Sequence, residues 1–399
     1  VVKFADRIQK IPEDPLNEIM KLSSDRDIIS FSLGSPSKEA YPTEFIINAT
    51  KKLLVENPVS MLSYGLQEGY VPLRKNFIEH IAKSRNINAN LDNVLITTGA
   101  TQGIELVSQV LLQEGDKVLV ESPTFFAALP VFKKYGATVI PVKMDNDGID
   151  TNDLEVKLKK YAPKLLYIIP TFQNPTGITL SNDKRKAICK LVDKYGTIVL
   201  EDDPYYDLRF IGEHIMPIKS HDKNENVIYL SSFSKILAPG LRVGVVIANK
   251  EIINKLVLAK SGADTNTSLL SQGICSEFLE SGFYKSHMNE IFPLYLNRLN
   301  KMIECIEQFF PDNIEFIRPE GGLFIWLGLP KEIDTKTLLK TSSQKYKVSY
   351  VPGSIFYTNP SEHQNFIRLN YSSNDGSTIE QGMKRLGMVF KDYISGLFF

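Results

Sequence analysis

The sequence predicts an α/β protein: a mostly parallel central sheet with helices on both faces, joined by a smaller α+β domain. Three observations lead there. Seven short runs rich in Val, Ile and Leu recur between about residues 91 and 250. Amphipathic helical patterns separate several of them. The last hundred residues then change character, reading as a helix, three strand regions and a closing helix. Buried strands interleaved with helices are the mark of a sheet covered on both sides.

In chain order the runs are "NVLITTG", "DKVLVESP", "GATVIPVKM", "KLLYIIP", "GTIVLEDD", "NVIYLSS" and "RVGVVIA". Their β-branched content and length suit strands. Between the first two, "TQGIELVSQVLLQEGD" sets Ile104, Val107, Val110 and Leu111 on one helical face, with Gly115 as its stop. Further on, "NRLNKMIECIEQFF" and "TIEQGMKRLGMVFKDYI" read as helices, and "IEFIRPEGGLFIWLGL", "KVSYVPGS" and "NFIRLNYS" as strands. The expected division is an N-terminal segment, 1–45, joining the small domain, a large domain, 46–285, and a small C-terminal domain, 286–399.

Composition narrows the function. The 46 basic residues balance the 46 acidic ones and no basic run stands out, so no nucleic-acid partner is expected. No uncharged apolar stretch is long enough to span a bilayer. The first residues carry charges too early for a signal peptide. Cys189, Cys275 and Cys305 form no C-x-x-C pair, which suits a reducing cytoplasm. The five histidines lack zinc-ligand spacing, so no metal is expected.

Ligands of open α/β sheets bind at the carboxyl ends of the strands, so the residues just beyond each run are candidates. After the first come Thr98-Gly99-Ala100-Thr101-Gln102, small residues opening a helix. They suit a phosphate, although a plain turn looks the same. Ser122-Pro123-Thr124-Phe125-Phe126 supplies an aromatic face, and Thr171-Phe172-Gln173-Asn174-Pro175-Thr176-Gly177 fixes an amide. Glu201-Asp202-Asp203-Pro204-Tyr205-Tyr206 places acids beyond a buried strand, where they need a cation or solvent. Ser231-Ser232-Phe233-Ser234-Lys235, with Arg242 a short loop later, sets a lysine among hydroxyl groups. Phosphate cradle, aromatic, amide, carboxylate, phenol, lysine and arginine together match the needs of pyridoxal 5'-phosphate.

"FQNPTG", "EDDPYYDLRF", "SFSKILAPGLRVG" and "RPEGGLFIWL" resemble, in that order and combination, the fold type I pyridoxal-phosphate aminotransferases of class I/II. The resemblance covers essentially the whole chain. It is strongest to the branch holding the 2-aminoadipate and kynurenine aminotransferases and the catalytic half of the MocR-type regulators. It implies that Lys235 bonds the cofactor and shuttles the substrate proton, and that Asp202 pairs with the ring nitrogen. Asn174 and Tyr205 are implied at the phenolic oxygen and Phe125 on the ring face. The backbone of Ala100 and Thr101, with Ser232 and Arg242, is implied at the phosphate. Arg368 is implied at the substrate carboxylate, and Gly34 where backbone approaches substrate. Asp203 is expected to matter less than Asp202.

The implied activity is transfer of an amino group from an L-amino acid to a 2-oxo acid, 2-oxoglutarate foremost, in a ping-pong cycle. A β-lyase on the same scaffold is one alternative. A non-catalytic MocR-like sensor is another, ranked lower because no winged-helix region or basic excess precedes the homologous part. The resemblance also implies a homodimer in which Tyr64 reaches the neighbour's cofactor phosphate. Ser122–Pro123 and Asn174–Pro175 are candidate cis bonds. The chain departs from many relatives in two places: Leu33-Gly34-Ser35-Pro36 replaces Gly-Gly-Leu-Pro, and Asn17 stands where an arginine is common.

Overall fold

The computed structural model describes residues 2–9, 19–21, 25 and 27–396. Asn17 lies outside them. In chain order the strands are β1 (Ile29–Ser30), β2 (Val94–Thr97), β3 (Lys117–Ser122), β4 (Thr138–Asp145) and β5 (Gly148–Ile149). Then come β6 (Leu165–Ile168), β7 (Ile198–Asp202), β8 (Val227–Ser232) and β9 (Gly244–Ile247). The last five are β10 (Glu315–Phe316), β11 (Phe324–Gly328), β12 (Val348–Ser349), β13 (Val351–Pro352) and β14 (Phe366–Asn370).

Among the described residues the largest sheet has eight strands in the order β2-β9-β8-β7-β6-β3-β4-β5. Its centre, from β8 to β4, is parallel. All seven expected runs are strands of this sheet. The last of them, β9, runs antiparallel to both neighbours, β2 and β8. That reversal brings the residues before β9 to the edge where the other strands end.

Alternation along the buried strands builds two layers of core. Leu119, Leu166 and Val199 pack with Leu154, Leu158, Ile188 and Val192 from the helices Thr151–Tyr161 and Asn182–Tyr195. Val118, Val120, Leu165 and Leu200 face the other way, into a larger core with Ile104 and Val107 of the helix Ala100–Leu111. This helix stops at Leu111, before Gly115, because Asp116 N–H turns back to the Gln113 carbonyl and Gly115 N–H pairs with Gly136.

A four-stranded sheet, β10-β11-β14-β13, forms from the C-terminal hundred residues. The run "KVSYVPGS" is split at Tyr350: β12 pairs with β1 near the N-terminus, and β13 with β14. The first C-terminal helix begins earlier than its pattern indicates, spanning Phe283–Phe309 with Pro293 inside, and packs against Gly376–Ile394. The proline masked the helical pattern before residue 297, since proline normally ends a helix.

Close approach of β9 to β2 needs a residue without a side chain. A Cβ on Gly244 would lie 2.7 Å from Gly99 C and 2.9 Å from Ala100 N, both backbone atoms that cannot step aside. Gly244→Ala should therefore cost about 1–3 kcal/mol by overpacking. Thermal unfolding of the cofactor-free protein checks it; an unchanged Tm would contradict the close packing of β2 and β9.

Candidate active site

Register fixes the site. Gly244, the first residue of β9, lies opposite Thr97 at the end of β2 and Ser232 at the end of β8. Just beyond these ends open the helix Ala100–Leu111 and the loop carrying Lys235 and Arg242. Beside them a cavity of ≈310 Å³ is bordered by Gly34, Ala100, Thr101, Phe125, Asn174 and Asp202, and by Tyr205, Ser232, Lys235, Arg242 and Arg368. Every site residue expected from the sequence is there except Tyr64. That side chain is 88% exposed, away from its own chain's cavity.

The end expected to hold the phosphate is built from backbone. Gly99, at φ +81°, precedes the helix, and a Cβ there would fall 2.3 Å from Arg242 Nη2. The guanidinium thus lies across the helix N-terminus, where exposed N–H groups and the helix dipole favour an anion. Arg242 holds this place in the left-handed region, φ 55°, at the end of the turn Pro239–Leu241. Behind the cradle, Thr98 N–H donates to Gln102 Oε1 (2.7 Å), while the Thr98 hydroxyl and Gln102 Nε2 both donate to Asp264 Oδ2 (2.6 and 2.8 Å).

At the sheet centre three acids crowd the end of β7. Glu201 takes the N–H groups of Ile218 (2.7 Å) and Lys219 (2.8 Å). Asp203 accepts from the Tyr229 hydroxyl (3.1 Å) and does not border the cavity. Asp202 accepts from the Tyr167 hydroxyl through Oδ2 (2.7 Å), but its buried Oδ1 has no partner. Burial drives its carboxyl up to about 7, with the charge of Asp203 adding to the shift; Tyr167 and Lys235 pull it back. A buried acceptor without a donor is costly. A protonated ring nitrogen is the kind of donor that would satisfy it, and the residues present fit pyridoxal phosphate on that ground.

Lys235 Nζ donates to the Gly34 carbonyl (2.7 Å). Burial, then the positive charges of Arg368 and Arg242, hold its ammonium down at about 8 against the pull of Asp202. Arg368, buried on β14, gives Nη1 to Asn174 Oδ1 (2.9 Å) and Nη2 to the Ser32 carbonyl (2.7 Å). Its guanidinium lies 4.2 Å from the Phe324 ring centre and 5.2 Å from that of Phe356. Burial lowers it to about 10, so it stays charged at neutral pH. Burial raises the Tyr205 phenol, keeping it a donor. Both Ser122–Pro123 and Asn174–Pro175 are cis.

The chain matches the family model "Aminotransferase class I and II" over residues 26–386. It belongs to the class I and II aminotransferases. This aminotransferase is 36% identical to aromatic-amino-acid aminotransferase 1 of Thermococcus litoralis over 98% of its length and 94% of that protein's. It is also 36% identical to 2-aminoadipate transaminase of Thermus thermophilus, covering 98% and 97% of the two chains. Among solved structures it is similar to Pyrococcus horikoshii kynurenine aminotransferase in complex with PMP, kynurenine and kynurenic acid. There the TM-score is 0.94 at 36% identity, over 98% of this chain and 97% of that one. The aminotransferase is thus a fold type I enzyme using pyridoxal phosphate to move amino groups.

Several cavity or supporting residues escaped the sequence reading: Tyr167 beneath Asp202, Ser32 and Phe324 around Arg368, and Gln173. Gln173 Nε2 donates to the Pro123 carbonyl (2.8 Å), tying together the loops that carry Phe125 and Asn174. Tyr167 left one signal, a hydroxyl inside an otherwise aliphatic buried strand; the others act through tertiary contacts that no local pattern records.

In the cofactor-free aminotransferase, acylation of Lys235 should reach half its limiting rate near pH 8, against about 10.4 for an ordinary lysine. Arg368→Gln removes a positive neighbour and should move that midpoint up. Mass-spectrometric rate measurement checks both; a midpoint near 10 in the unaltered protein would contradict the geometry.

Proposed function

We propose that the enzyme transfers the amino group of an L-amino acid to 2-oxoglutarate in a ping-pong cycle, with the residue roles that follow. Convergence of Lys235, the unpartnered Asp202 oxygen and the Arg368 guanidinium on one cavity carries the reading. Bound pyridoxal phosphate supplies an electron sink for the substrate's α-carbon. Ala100 and Thr101 backbone, Ser232 and Arg242 hold its phosphate; Phe125 covers the ring.

Asp202 keeps the ring nitrogen protonated. With Asn174 Oδ1 taken by Arg368, the Asn174 amide N–H is turned to the Tyr205 hydroxyl, and the two would share the phenolic oxygen. Lys235 would anchor the cofactor, then take the proton from the substrate's α-carbon and deliver it to the cofactor's C4'. An amine titrating near 8 is a usable base at neutral pH, unlike an ordinary lysine. Arg368 forks onto the substrate carboxylate, and its position in β14 fixes where that carboxylate lies. The Gly34 carbonyl holds Lys235 Nζ when the amine is at rest.

The pairing of β1 with β12 supports assigning the N-terminal segment to the small C-terminal domain. Three free, buried cysteines support a reducing, cytoplasmic setting. Among the described residues no helix is long and apolar enough to cross a membrane. A homodimer with shared sites is supported by Val55, Val59, Leu62 and Tyr64, each between 73% and 88% exposed. An apolar patch of this kind marks an interface, and a two-fold axis would use it twice.

A panel of amino donors against 2-oxoglutarate, each half-reaction followed by absorbance, tests the activity. Lys235→Ala should lower turnover by at least about 10²–10⁴-fold. Pyruvate and ammonia released from a cysteine conjugate with no 2-oxo acid present would contradict transamination.

Tyr64→Phe should loosen cofactor retention with little change in Tm, because one hydroxyl is lost and the ring stays. Equilibrium dialysis and sedimentation check it. A fully active monomer would contradict the shared site.

A further inference from the structure

We propose that Tyr167 is a positioning residue for the ring-nitrogen contact: its phenol engages one Asp202 oxygen, aims the other at the cofactor and keeps the carboxylate charged. The inference rests on the Asp202 role proposed above.

Tyr167 lies on β6, fully buried, beside β7 that ends in Asp202. Its ring meets Phe132 edge-on at 5.5 Å between centroids, which fixes where the hydroxyl points. That hydroxyl donates to Asp202 Oδ2 at 2.7 Å, while Oδ1, on the cavity side chain, is left without a partner. A carboxylate with one oxygen pinned cannot spin; its free oxygen has a set direction. The bond therefore does two things at once, orientation and charge retention.

The second matters because the surroundings of Asp202 oppose each other. Asp203, from its own segment, adds negative charge and Lys235, from the loop after β8, adds positive charge, while burial pushes Glu121 on β3 up to about 8 and leaves it mostly neutral at pH 7. Tyr205, on the same segment as Asp202, is kept neutral by burial, with the charge of Asp202 adding to the effect. Among the described residues, Tyr167 is the side chain that donates a hydrogen bond to this carboxylate. Burial and the neighbouring carboxylate push the Tyr167 phenol well above its ordinary value, so it stays protonated and remains a donor. With the Asp202 carboxyl already up at about 7, loss of this bond raises it further and leaves it neutral at working pH. A neutral carboxyl cannot keep the ring nitrogen protonated.

Tyr167→Phe keeps the ring against Phe132 and removes only the hydroxyl. In the cofactor-free protein, difference infrared titration with Asp202→Asn as the blank should show the Asp202 midpoint raised by about one pH unit or more. In the loaded enzyme, a ¹⁵N label in the cofactor ring should show less of its protonated resonance near pH 7 than in the unaltered protein, because the carboxyl then keeps more of the one proton that it and the nitrogen share. Turnover should fall in step with that resonance, and raising the pH should not restore it, because base removes the shared proton and cannot return it to the nitrogen. A 3-fluorotyrosine placed at position 167, a stronger donor on the same framework, should move the carboxyl midpoint the other way. An unchanged midpoint in both variants, with the ring nitrogen as protonated as in the unaltered enzyme, overturns the inference while leaving Asp202 in place. If Asp202→Asn itself leaves the ring nitrogen protonated, the Asp202 role fails and this inference falls with it.

Discussion

Everything at the active site depends on one row of paired residues: Thr97, Gly244 and Ser232, where β9 is inserted antiparallel between β2 and β8. Had β9 been parallel, the residues preceding it would lie at the opposite edge of the sheet. As it is, Arg242 crosses the helix N-terminus above Gly99, and Ser232 and Lys235 share the same few ångströms of edge. Gly99 and Gly244 are the price of that closeness, since a Cβ at either position would strike the guanidinium or the neighbouring backbone.

From this row the site extends by charge. Strand ends leave Asp202 buried, and burial alone would make it a neutral acid. Tyr167 and Lys235 pull the other way, so the carboxylate sits near the balance between its two forms. Lys235 is held near its own balance from the opposite direction, by burial and by two arginines. Both groups are therefore responsive where ordinary members of their type are not, and both face one cavity. Groups poised in this way cluster at functional sites.

Much of this was legible in the sequence because α/β folds place ligands at strand ends. The strand runs needed only β-branched composition to be found, and the residues following them could be named directly. The family resemblance then distinguished Asp202 from Asp203, which the structure separates by position: each accepts from one phenol and has one buried oxygen without a partner, but of the two it is Asp202 that borders the cavity. Contacts that join distant segments were not legible. Tyr167 under Asp202, Gln173 between two proline loops and Ser32 on Arg368 each depend on how the chain returns to itself. The early start of the helix Phe283–Phe309 was hidden for a local reason, Pro293.

The claim on which the account stands is that these strand ends form one cofactor site anchored by a single lysine. Borohydride reduction of the cofactor-loaded protein, followed by peptide mapping, tests it directly. One label per chain on Lys235, and none on Lys260 or any other lysine, is the result expected. A label on a different lysine, or none at all with cofactor bound, would contradict it.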